Sequence, residues 1–220
     1  MTDACLLFDL DGTIAETDHL HFEAFKSVFT PYGVAVDWSV YTARVIGKNN
    51  PEIAADFLPH VPVDQHAGIM DRKEAAYRES LHKIEASSGL LGLLDWADAE
   101  GIPCAVVTNA PRLNADAVLD MLDLRHRFKI VVIGPELRQA KPHPLPYLTG
   151  LEALGASAAH SVGFEDSRAG IASAAAAGLG VVGITSTFDV PTLLAAGAHV
   201  AGRDFTDPAV LDFVRQRTGR

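Results

Sequence analysis

Two aspartates stand two residues apart in Phe8-Asp9-Leu10-Asp11-Gly12-Thr13, directly after the apolar run Ala4-Cys5-Leu6-Leu7-Phe8. An acid in the first position can act as a nucleophile and as a metal ligand. The second, one pleat further on, can point back at the same reacting atom. Gly12 lets the chain turn away without a Cβ clash, so both acids stay at an exposed strand end. Asp-Gly is also an ordinary turn signal. The pair gains chemical meaning from its company further along.

Two more polar clusters follow apolar runs. Thr108-Asn109 comes after Val106-Val107, and Glu165-Asp166 after Val162-Gly163-Phe164. Taken singly, the first reads as a helix-leading turn, and Asp166-Ser167 as a helix N-cap. In open parallel sheets, however, ligands bind beyond the carboxyl ends of the strands. Jointly the clusters place Asp9, Asp11, Glu165 and Asp166 along one sheet edge, where their repulsion calls for a cation. A hard ion with oxygen ligands, Mg²⁺, fits that set. Lys141 in Ala140-Lys141-Pro142-His143-Pro144 sits in a loop stiffened by prolines. An isolated lysine would be a solvated surface residue. Beside four acids and a metal it reads as charge balance and a phosphate ligand.

The elements that must position these groups follow from periodicity. From Glu16 to Glu85 the chain reads as successive helices with almost no strand signal. Phe25, Val28, Phe29 and Tyr32 recur at three-to-four spacing, Pro31 and Gly33 end that helix, and a long helix is predicted from Asp64 to Ile84. From Gly89 onward helices alternate with short apolar runs. Helices are predicted over Leu90–Ala99, Leu113–Leu122, Leu145–Leu154 and Ala169–Ala177. Strands are predicted over Cys104–Val107, Lys129–Ile133, Ser161–Phe164 and Gly180–Ile184. Such alternation is the signature of a parallel sheet covered on both faces. The expected fold is therefore α/β, a doubly wound, Rossmann-like parallel sheet with an α-helical cap domain inserted after the first strand. The core is expected over residues 1–15 and 86–220, and the cap over 16–85.

Composition sets the outer bounds. The chain has 220 residues, 48% hydrophobic and 21% charged, and a formal net charge of −10. That balance argues against non-specific nucleic-acid binding, which needs a basic surface. It does not prevent binding of a small anion by a few locally aimed cations and amides. Cys5 and Cys104 read as small buried apolar residues rather than a disulfide or zinc site. The N-terminus lacks the basic region of a signal peptide, and no apolar stretch approaches membrane-spanning length. A cytoplasmic protein with no membrane partner is expected. The oligomeric state is open, and a monomer suffices for everything read so far.

The four motifs, in this order, resemble the haloacid dehalogenase-like hydrolase superfamily, most of whose members are phosphatases. They stand as Asp9-Leu-Asp11-Gly-Thr, Thr108-Asn109, Lys141-Pro-His-Pro and Gly163-Phe-Glu165-Asp166-Ser167-Arg-Ala-Gly170, and span nearly the whole chain. The resemblance implies that the helical insert is a movable cap. It implies that Asp9 attacks phosphorus to form an aspartyl phosphate. Asp11 would protonate the leaving oxygen and then activate water. Mg²⁺ would be held by Asp9, Glu165, Asp166 and the Asp11 backbone carbonyl. Thr108, the Asn109 backbone N–H and Lys141 would receive the phosphoryl oxygens. Because a halide needs no proton, the second acid, Asp11, favours phosphoryl transfer over dehalogenation.

The chain is particularly similar to the beta-phosphoglucomutase branch and its sugar-phosphate phosphatase neighbours. His21 matches a hinge histidine that gates Asp11, although on its helix it also fits a packed interface histidine. Lys73 matches a cap lysine facing substrate, on a charged helix face that solvation would also explain. The mutase carries a cap arginine in a Gly-x-x-Arg arrangement that grips a distal phosphate. Here the loop reads Gly47-Lys48-Asn49-Asn50, and the neutral Asn50 cannot replace a bidentate guanidinium. Lys48 could compensate only as a point charge. The expected activity is hydrolysis of a small phosphate monoester, a sugar or polyol phosphate. Two alternatives remain: a phosphosugar mutase of the beta-phosphoglucomutase type, and a non-catalytic sugar-phosphate-binding protein. Substrate choice is expected to lie in Gly47 to Pro51, His19, His21 and Lys73.

Overall fold

The computed structural model describes residues 3–82 and 84–220. Six strands form one fully parallel sheet: β1 (Leu6–Phe8), β2 (Cys104–Thr108), β3 (Ile130–Ile133), β4 (Val162–Glu165), β5 (Gly180–Ile184) and β6 (Val200–Gly202). Their spatial order is β3-β2-β1-β4-β5-β6. The first strand thus lies in the middle, and the winding reverses beside it, which is where ligands of such sheets bind.

The pleat divides the apolar side chains between two cores. Leu6 and Phe8 face a cluster with Val106, Phe128, Phe164 and Phe205, while Cys5 and Leu7 face one with Val107, Tyr147, Ile171 and Val181. Phe8 stacks on Phe164 with ring centroids 4.6 Å apart. Both cysteines are free and buried, and burial pushes the Cys5 thiol up to about 11 and that of Cys104 to about 12. They therefore serve as small apolar residues.

Between β1 and β2 lie helices α1 (Asp18–Phe29), α2 (Trp38–Arg44), α3 (Asn50–Phe57), α4 (Val63–Ser80) and α5 (Leu90–Glu100). The first four enclose a hydrophobic cluster of their own. Phe25 and Phe29 sit fully buried among Tyr41, Ile53, Phe57, Ile69 and Met70, with Val28 and Tyr32 at its margin. The predicted helix to Ile84 is too long, because α4 stops at Ser80. Ser80 Oγ donates to the Tyr77 carbonyl at 2.6 Å, and Leu81 turns into the core. That side-chain bond competes with the helical ladder.

The core continues with α6 (Arg112–Met121), α7 (Leu145–Leu154) and α8 (Arg168–Ala176), within two residues of the expected bounds. Beyond β5 the chain adds α9 (Val190–Ala196), β6 and α10 (Pro208–Thr218). Asp189 and Asp207 start these two helices by accepting backbone N–H groups. Among the described residues no helix is long and apolar enough to cross a membrane.

Candidate active site

Register explains why residues far apart in sequence meet. Phe8 is level with Val106 on one side and Phe164 on the other, so the residues after β1, β2 and β4 emerge together. The Asp9 N–H donates to the Phe164 carbonyl at 2.9 Å, which fixes its backbone to β4. Asp9, Asp11, Thr108, Asn109, Lys141 and Asp166 line one cleft, with His21, Lys48, Asn50 and Lys73 from the helical insert. Glu165 lies just beneath it, fully buried.

Lys141 is the hub. Its buried ammonium donates to Asp9 Oδ1 at 2.6 Å, Glu165 Oε1 at 2.5 Å and the Val107 carbonyl at 2.7 Å. The surrounding carboxylates raise its pKa despite burial. The Asn109 side chain braces this loop: its amide donates to the Lys141 carbonyl, and its oxygen accepts the Lys141 N–H, both at 3.1 Å. It also donates to the Gly47 carbonyl of the insert at 3.3 Å. The family resemblance implies only a backbone role for Asn109; its side-chain brace is visible only in the tertiary structure. Thr108 Oγ1 accepts from the Ala110 N–H at 2.9 Å, leaving its proton free for a ligand.

Asp9, Glu165 and Asp166 each offer an oxygen within 4.8 Å of the others. Burial pushes the Asp166 carboxyl well up, with Asp18, Asp9 and Glu165 adding to the effect. Burial likewise raises Asp9, against the opposing charge of Lys141. Asp166 Oδ2 is buried with no hydrogen-bond partner. A buried carboxylate oxygen without a donor is costly unless a cation meets it. Gly12, at φ 74°, makes room here, since a Cβ in its place would lie 2.4 Å from that oxygen. Gly170 does the same for Glu165, because a Cβ there would lie 1.8 Å from Glu165 Oε2. The donor set therefore fits a hard divalent cation.

Asp11 has a different environment. Its Oδ1 accepts from Thr17 Oγ1 at 2.6 Å and from Tyr77 Oη at 3.1 Å, and lies 3.3 Å from His21 Nε2. Burial alone would raise this carboxyl, yet the His21 charge and the bonds from His21, Thr17 and Tyr77 bring it down to about 2. Two acids two residues apart thus have different surroundings, Asp9 against an ammonium and Asp11 against two hydroxyl donors and an imidazole.

The insert residues divide. His21 stacks on Tyr77 at 3.5 Å, and its Nδ1 lies 3.4 Å from Lys73 Nζ. Lys73 is buried and paired with Glu74, so solvation does not account for it. Lys48 reaches Asp56 at 3.2 Å at the rim. Asn50 opens α3, which Asn49 and Glu52 cap reciprocally. His19 does not line the cleft, contrary to expectation: it is exposed and stacks on Trp38. Tyr77, Thr17, Asp18 and Glu74 were not foreseen. The spacing of Lys73 and Tyr77, four residues apart on one helix face, was the available signal for Tyr77.

Comparison with known proteins agrees with this geometry. The CbbY protein of Rhodobacter capsulatus is 36% identical over 190 residues, covering 80% of this chain and 83% of that protein. The fructose-1-phosphate phosphatase YqaB of Escherichia coli K12 is 32% identical over 183 residues, covering 82% and 96%. The crystal structure of Rhodobacter sphaeroides CbbY in complex with phosphate superposes with a TM-score of 0.81 at 28% identity, over 96% of this chain and 100% of that one. Residues 6–184 match the haloacid dehalogenase-like hydrolase family, and the chain belongs to it.

Proposed function

We propose that this protein is a Mg²⁺-dependent phosphatase that hydrolyses a small monophosphate ester, a sugar or polyol phosphate, through a phosphorylated Asp9. The observation that carries this reading is the pairing of Asp9, in contact with the Lys141 ammonium, with Asp11, held apart from it by Thr17, Tyr77 and His21. A similar protein is named a fructose-1-phosphate phosphatase, which supports the substrate class.

In the first step an Asp9 oxygen attacks phosphorus and the ester oxygen leaves, taking a proton from Asp11. In the second, Asp11 takes a proton from water, whose oxygen attacks the same phosphorus and returns Asp9 as a free carboxylate. The sum is ester plus water to alcohol plus phosphate. Splitting one hard displacement into two is the gain of covalent catalysis. Asp11 rests ionised, so it first takes up a proton from the monoanionic form of the substrate and then passes it to the leaving alcohol. Lys73 Nζ lies beside His21 Nδ1 while His21 Nε2 faces Asp11, so the imidazole stands between the buried cap lysine and the proton carrier. Lys141 and Thr108 meet the phosphoryl oxygens. Asp9, Glu165, Asp166 and the Asp11 carbonyl would hold Mg²⁺, which when bound neutralises phosphoryl charge. Residues 16–85 would act as the cap, closing His21, Tyr77 and Lys73 over the cleft and excluding water.

Phosphate release from p-nitrophenyl phosphate and a sugar-phosphate panel with Mg²⁺ tests the reading. Asp9→Asn should lower it by about three orders of magnitude or more. Equal inertness of wild type and variant across the panel would sink it. A mutase of the beta-phosphoglucomutase type would instead convert beta-glucose 1-phosphate to glucose 6-phosphate faster than it releases phosphate.

A further inference from the structure

Three lysines line the cleft among the described residues, and each already has a carboxylate partner: Lys141 with Asp9 and Glu165, Lys48 with Asp56, and Lys73 with Glu74. The last pair is the deepest of the insert. Lys73 Nζ donates to Glu74 Oε1 at 2.8 Å, and both side chains are only 5% exposed. Glu74 is also tied to the sheet domain. Its Oε2 accepts from Asn114 Nδ2 at 2.6 Å, and the fully buried Asn114 in α6 accepts from Arg78 at 2.8 Å. Although burial opposes it, the Lys73 and His21 charges and the Lys73 and Asn50 amide contacts hold Glu74 below the usual carboxylate range, so it is ionised.

Resting on the phosphatase reading, we propose that Glu74 sets which esters this protein accepts. By pairing with Lys73, it reserves the far end of the cleft for the uncharged hydroxyls of a monophosphate and rejects a second phosphate. An ion pair flanked by the Asn50 amide offers both donors and acceptors, which matches hydroxyl groups. A second phosphate would need Lys73 for itself. It would lie against the Glu74 carboxylate, which cannot withdraw because Asn114 holds its other oxygen. A displaced Glu74 would be a buried anion without its cation, a costly state. Asp18 is a further acid lining the cleft, and Asn50 adds no cation.

The test compares kcat/KM for fructose 1-phosphate and fructose 1,6-bisphosphate on the full chain with Mg²⁺, and p-nitrophenyl phosphate as a measure of chemistry alone. Wild type should use the bisphosphate about tenfold less efficiently or worse. Glu74→Gln keeps the shape but frees Lys73, and should raise the bisphosphate-to-monophosphate ratio about ten- to a hundredfold. Adding Lys73→Gln should cancel that gain, which a merely structural role for Glu74 would not predict. The assignment falls if wild type handles both sugars equally, or if the ratio does not move in a Glu74→Gln protein that still turns over p-nitrophenyl phosphate. If wild type hydrolyses none of the three, the phosphatase reading itself fails, and the proposal with it.

Discussion

Tyr77 Oη donates a hydrogen bond to Asp11 Oδ1 at 3.1 Å, linking helix α4 of the insert to the loop after the central strand. The same oxygen receives Thr17, and His21 lies flat on the Tyr77 ring. The orientation of Asp11 therefore depends on the insert being seated on the sheet. The seating of the insert and the positioning of the Asp11 carboxylate are coupled.

Tyr77→Phe should keep the ring stack but lose one donor to Asp11. We expect kcat to fall about tenfold with little change in KM, read by steady-state kinetics. The Asp11 carboxyl should also climb from its value of about 2. A lowered carboxyl contributes stability that is present above its unfolded value and is lost as pH falls through the folded one. In the variant that contribution should be smaller and exhausted at a higher pH, as urea titrations between pH 6 and pH 2 would show.

Asp11→Asn should discriminate between leaving groups. A sugar alkoxide needs a proton as it departs, whereas p-nitrophenolate does not. The first step on sugar phosphates should slow by about a hundred- to ten-thousandfold, and on p-nitrophenyl phosphate much less. Equal losses on both would remove the acid role from Asp11.

Mg²⁺ should raise the melting temperature by about 5 °C at saturating concentration, and Asp166→Asn should abolish that response while the chain still folds. Burial raises the Asp9 and Asp166 carboxyls. A raised carboxyl contributes stability at low pH that is lost as pH rises through the folded value. The cation offsets that loss, so its effect should grow from pH 5 to pH 8. A thermal-shift series with and without chelator reads it directly.

Gly170→Ala should destabilise by about 3 kcal/mol or more, because its Cβ would overlap the fully buried Glu165 carboxylate. Urea unfolding should show the loss. Any folded fraction should respond more weakly to Mg²⁺, since Glu165 must move.

The α/β class, the helical insert and the order of the motifs were legible in the linear chain. Period and composition are local properties, and the strand-end residues had to share an edge once the sheet was parallel. Asp9, Asp11, Thr108, Asn109, Lys141 and Asp166 were all found lining the cleft, with Glu165 directly beneath it. What sequence alone left open were the groups whose meaning depends on a partner far along the chain. Lys73 on a charged helix face fits both a substrate-facing and a solvated lysine, yet it is buried against Glu74, which Asn114 holds from 40 residues away. His19 and His21, two residues apart, look equivalent in sequence, but helix rotation sends one to Trp38 and the other to Asp11. Chemistry at strand ends is determined by backbone register, which short-range patterns reveal. The pairing of charges across the cleft is determined by how the insert docks on the sheet, and only the tertiary structure decides that.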